Sequence, residues 1–147
     1  MCYKPILTKK KMKKLTIILS FIMLAGIALA NLLPANSLAD ITKSVSEAIR
    51  KGSATELSAF FNASIDLSVQ GKEGTFSKAQ AEQILKDFFI KNQPKTFNIK
   101  HQGNSVDGSN YVIGTLNTTN NLNFRVYFLI KNIGGKLCIQ QLQFEND

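Results

Sequence analysis

His101 is the only histidine in this 147-residue sequence, and so the obvious candidate for proton transfer near neutral pH. A histidine acting as a general base has to be oriented by a partner, and the neighbours Lys100, Gln102 and Gly103 supply no carboxylate. His101 also alternates with Phe97 and Ile99, which reads as a core or pocket-wall position. Asp66 has suitable chemistry for a partner, but it runs out of phase with Ile65, Leu67 and Val69 and reads as a solvated strand residue. Cys138 lies between Leu137 and Ile139, where a buried structural thiol is expected and a nucleophile is not. One histidine and that cysteine cannot close a metal site, and the sequence has no spaced carboxylate cluster. Gly134-Gly135 lacks the strand-to-helix context of a phosphate cradle, so the sequence calls for no metal and no cofactor.

What the sequence does have in quantity is aromatic surface, with ten Phe and three Tyr. Phe61, Phe88, Phe97, Tyr111 and Tyr127, with His101, are the residues that would line a concave apolar pocket. The competing reading of the same residues is core filling, which requires no ligand.

The elements that position these residues fall into two halves. Ile41, Val45, Ala48 and Ile49 lie on one face of a helix that Gly52 ends. Ser53-Ala54-Thr55-Glu56 matches a capping box, with Leu57, Phe60 and Phe61 facing inward behind it. Ile65 to Val69 reads as a half-buried strand that stops at a turn from Gln70 to Gly74. Ser77 and Gln80 form a second capping box, and Ala81, Ile84, Leu85, Phe88 and Phe89 make an apolar helical stripe that Pro94 stops. From Thr96 onward the period falls to two. Turns at Asp107-Gly108, Asn120-Asn121 and Gly134-Gly135 divide the rest into a meander of four antiparallel strands. Leu122 to Ile130 is nearly all apolar and is expected to be central and covered on both faces. The sequons Asn62-Ala63-Ser64 and Asn117-Thr118-Thr119 read as turn chemistry.

The N-terminus has a different character. Six lysines precede Leu15, and Leu15 to Ala30 carries no charge, which is the order of a secretory signal peptide and is short for a membrane span. An uncleaved anchor helix is the other reading. Cleavage is expected after Ala39, with Ala28-Leu29-Ala30 as the alternative, and the start at Met1 or at Met12. Residues 1–39 are thus signal and upstream extension, and residues 40–147 a single domain for the periplasm or cell surface. The overall charge of +8 belongs mainly to the leader. Residues 40–147 keep twelve basic and ten acidic groups, too balanced for nucleic acid. Only Cys138 remains there, so packing without an internal disulfide must hold the domain.

Helices, a strand pair, a long amphipathic helix and a meander define an α+β class. The stretch Ser53 to Phe61, then Ile65 to Val69, resembles the opening of the cystatin-like cone of the nuclear transport factor two superfamily. Gly71 to Gln83 and Phe124-Arg125-Val126-Tyr127-Phe128 resemble, more narrowly, an uncharacterised family of small exported bacterial proteins with that fold. The resemblance implies N-terminal helices packed on a curved antiparallel sheet. Enzymes of the superfamily place Asp, Tyr and His inside the cone, which by resemblance makes Asp66, His101, Tyr111 and Tyr127 candidates; other members bind without catalysis. Two functions therefore stand. One is non-enzymatic binding of a small apolar ligand or protein partner, including a second copy. The other is a small isomerase or dehydratase. Neither involves nucleic acid, or a membrane once the leader is removed.

Overall fold

The computed structural model describes residues 37–147, so the expected leader and the Ala30 cleavage point lie outside the described residues. Helix α1 runs over Leu38–Lys51. Its N-cap is Ser37, whose Oγ accepts from the Asp40 amide at 3.2 Å, while the Asp40 carboxylate accepts from the Ser37 hydroxyl at 2.6 Å. Asp40, where the sequence reading begins the domain, is therefore the third residue of a helix. A break after Ala39 would fall inside the first turn. Gly52 closes α1 at φ 68°, its N–H reaching the carbonyls of Ala48 and Ile49.

Helix α2, Ala54–Ser58, keeps only half of its expected capping box. Ser53 accepts from the Glu56 amide, but the Glu56 carboxylate turns instead to Lys51, 3.0 Å away. Strand β1, Phe61–Val69, follows and pairs with β2, Lys72–Ser77. The turn between them is shorter than the sequence suggests. Only Gln70 and Gly71 are unpaired, at φ 45° and 80°, because Lys72, Glu73 and Gly74 already face Val69, Ser68 and Leu67. Helix α3, Lys78–Lys91, has the full Ser77/Gln80 capping box and buries Ala81, Leu85, Phe88 and Phe89, with Ile84 half-buried.

The remaining strands are β3 (Pro94–Asn104), β4 (Asn110–Thr118), β5 (Asn123–Ile133) and β6 (Lys136–Asn146). The sheet order is β2-β1-β6-β5-β4-β3. The meander is antiparallel as read, and β1 joins it through a parallel pairing with β6. The sequon Asn62-Ala63-Ser64 lies within β1 and not in a turn, whereas Asn117-Thr118-Thr119 runs from the end of β4 into the turn, where the Thr118 hydroxyl donates to the Leu122 carbonyl at 2.7 Å. Register shifts in β1, at Lys100 in β3 and at Gln140 in β6 bend the sheet.

One face of this curved sheet carries Leu67, Val112, Leu116, Phe124, Val126, Phe128 and Leu142 against the helices. Phe88 centres an aromatic cluster, with ring centroids 5.1 Å from Phe124 and 4.8 Å from Phe144. Strand β5 is central but not covered on both faces. Its alternate residues Tyr127, Leu129 and Lys131 are only half-buried, because the three helices among the described residues lie on the opposite side.

Candidate functional site

The six residues expected to line a pocket do not converge. Phe61, Phe88 and Phe97 are fully packed among the inner-face side chains. Phe97 lies so close over Gly114 that a Cβ there would sit 2.6 Å from its ring carbons. His101, Tyr111 and Tyr127 lie on the outer face. The cause is the bulge at Lys100: Ile99 pairs with Gly114, but His101 pairs with Ile113, so the two residues face opposite sides of the sheet despite their spacing. Alternation with Phe97 and Ile99 thus misplaces His101, which is exposed and not in the core.

On that outer face the Tyr111 hydroxyl and His101 Nε2 are 2.9 Å apart. Tyr127, opposite Ile113, has its hydroxyl pKa pushed up by burial, with the Asp107 carboxylate adding to the effect. Asp107 is held down to about 2 by the Ser109 hydroxyl and by Lys131, whose Nζ is 3.0 Å away. Asp66 is exposed and accepts from the Thr75 hydroxyl at 2.6 Å. Strands β1 and β3 are separated by β6, β5 and β4, so Asp66 and His101 lie about 19 Å apart across the sheet at ~4.8 Å per strand. No proton passes directly between groups so far apart.

A concavity of about 670 Å³ lies elsewhere, between α1 and the β3–β4 edge. Leu38, Ala39, Ile99 and Val112 supply its apolar surface. Leu38 and Ile99 are 37% and 40% exposed, so apolar area is left open to water there. Thr42 and Ser46 lie one turn apart along the helix wall, the Ser46 hydroxyl donating to the Thr42 carbonyl at 2.7 Å. Lys43, Glu47 and Arg50 form the charged rim, and Arg50 Nη2 donates to the Phe97 carbonyl at 3.2 Å. Of the six expected residues only Tyr111 reaches this groove.

Residues 42–145 match the family described as a domain of unknown function, DUF4783. The chain belongs to that family. A DUF4783 protein from Bacteroides ovatus is similar at 36% identity over 71% of this chain and 93% of that chain, with a TM-score of 0.65. One from Bacteroides uniformis is similar at 32% identity over 73% and 97%, with a TM-score of 0.67. A de novo designed protein with a curved β-sheet shares the fold at 11% identity and a TM-score of 0.60, over 74% of this chain and 99% of that chain. Designed proteins of the nuclear transport factor two type align similarly, so this DUF4783 domain has the α+β cone of that superfamily. The comparison with curated proteins finds no match.

For this family member, sequence reasoning missed the groove for two reasons. Placing the domain's start at Asp40 discarded Leu38 and Ala39, and reading α1 by its apolar stripe alone ignored a second stripe. Leu38, Thr42 and Ser46, at i, i+4 and i+8, were the available signal: one face that is neither fully apolar nor charged.

Proposed function

We propose that this DUF4783 domain is a non-enzymatic binding module that acts after export and holds a small apolar ligand or a protein segment in the groove between α1 and β3. The single observation that carries the reading is a groove of about 670 Å³, within the usual range for ligand sites, with Leu38 and Ile99 left open to water beside convergent polar groups. The isomerase or dehydratase reading loses its His101–Asp66 pair to the strand order. Its remaining His101–Tyr111 pair stands on an open sheet face. Export is supported by the Lys-rich, uncharged and small-residue order of the leader.

The groove is tested with anilinonaphthalene sulfonate as an apolar anionic probe. Saturable one-site binding is expected in the wild type and is expected to be lost in Ile99→Lys, which places a charge at an exposed wall position. Unchanged binding by Ile99→Lys would move the site elsewhere.

The outer face favours a protein contact of a second kind. Tyr111, Ile113, Tyr127 and Leu129 form a half-buried centre with Arg125, Gln141 and Gln143 around it, the apolar-centre and polar-rim pattern of a self-association surface. Sedimentation of wild type and Tyr127→Glu tests pairing with a second copy. A monomer in both would remove that contact.

A further inference from the structure

Resting on the groove reading above, we propose that the groove receives an extended acidic peptide, which adds as a seventh strand to the β3 edge. The sheet ends at β3, and the groove lies along that end. Backbone direction along β3 follows from its contacts. The Asn98 carbonyl points toward β4, coming within 2.8 Å of where a Cβ of Gly114 would stand, whereas the Phe97 carbonyl points outward to Arg50. Alternation then turns Ile99 outward. Beyond the bulge, His101 and Gly103 pair with Ile113 and Tyr111, and the Ser105 amide donates back to Ser109. Gln102 and Asn104 are therefore the outward residues. Ile99, Gln102 and Asn104, whose N–H and C=O groups are free of the sheet, all line the groove.

Length and charge identify the occupant. The α1 wall from Leu38 to Arg50 is about 18 Å long at ~1.5 Å per residue, matching five or six extended residues at ~3.3 Å each. Alternate side chains of such a strand would fall on Leu38 and Ile99. Lys43 and Arg50 line the groove against Glu47 alone, and Lys95 and Lys100 add positive charge on the exposed edge strand, while Asp40 on the same helix is engaged by the Ser37 hydroxyl. Edge lysines repel an identical edge and so oppose pairing with a second copy here, while they attract a strand bearing carboxylates.

Hydrogen exchange of the full chain, read by mass spectrometry, tests this with a synthetic hexapeptide of alternating valine and glutamate. Exchange over residues 98–104 is expected to slow about tenfold or more with that peptide, and to be unchanged when lysine replaces glutamate. Gln102→Pro removes an outward N–H that bonds nothing in the sheet, and is expected to abolish the protection with unchanged circular dichroism. Should that variant misfold, the double variant Lys43→Glu, Arg50→Glu is expected to reverse the preference toward the lysine peptide. Equal protection by both peptides overturns the acidic preference. If residues 98–104 gain no protection while the apolar probe still binds, strand addition fails and the groove reading survives; if neither binds, both fail.

Discussion

The Tyr111 hydroxyl meets His101 Nε2 at 2.9 Å across the β3–β4 pair, and the Tyr111 ring covers the backbone of Gly103 between them. A Cβ at position 103 would lie 2.7 Å from that hydroxyl, so the glycine makes room for the pair. The only histidine is thus positioned by a phenol on an open face, with no carboxylate bonded to it among the described residues.

His101→Gln is accordingly expected to change folding stability by less than about 1 kcal/mol, the scale of one exposed hydrogen bond. Gly103→Ala is expected to cost more, because it displaces the ring as well as the bond. Urea unfolding of both variants checks the order. A larger loss for His101→Gln would make the pair structural.

Phe88 touches Phe89, Phe124 and Phe144 and is 2% exposed. Phe88→Ala is expected to cost about 3 to 5 kcal/mol, a large part of the stability of a domain this size. Denaturant titration measures it, and a loss below about 1 kcal/mol would contradict the packed cluster.

Asp107 predicts an acid limb. Its folded pKa, about 2, lies below the ordinary carboxylate value near 3.9, so its contribution is complete above that value and fades as pH falls toward 2. Melting temperature against pH is expected to fall less steeply between about pH 4 and 2 in Asp107→Asn than in the wild type. Parallel curves would remove the Ser109 and Lys131 contacts as the cause.

The Ser37 cap bears on processing. A chain beginning at Asp40 lacks the cap and puts a charged amine at a helix N-terminus, so it is expected to be about 1 kcal/mol less stable than one beginning at Asn31. Exported material is expected to start upstream of Ser37, with Ala30 the better cleavage position. Mass spectrometry of the exported N-terminus decides this, and a start at Asp40 refutes it.

The sequence by itself determined what depends on neighbours in the chain. Caps at Ser53 and Ser77, the stop at Gly52, the stripe from Ala81 to Phe89 and the period-two meander are all written within a few residues, and each is present in the structure. Hence the α+β cone and the family were legible. Tertiary structure alone decided what depends on register between distant segments. The parallel β1–β6 seam joins residues 75 to 78 positions apart and carries no local mark. The bulge at Lys100 inserts one residue into a two-residue period, and so moves His101 from the expected inner face to the outer one. The groove exists only because α1 lies beside the β3 edge, and helical periodicity reports which face is apolar, not which strand will stand opposite it.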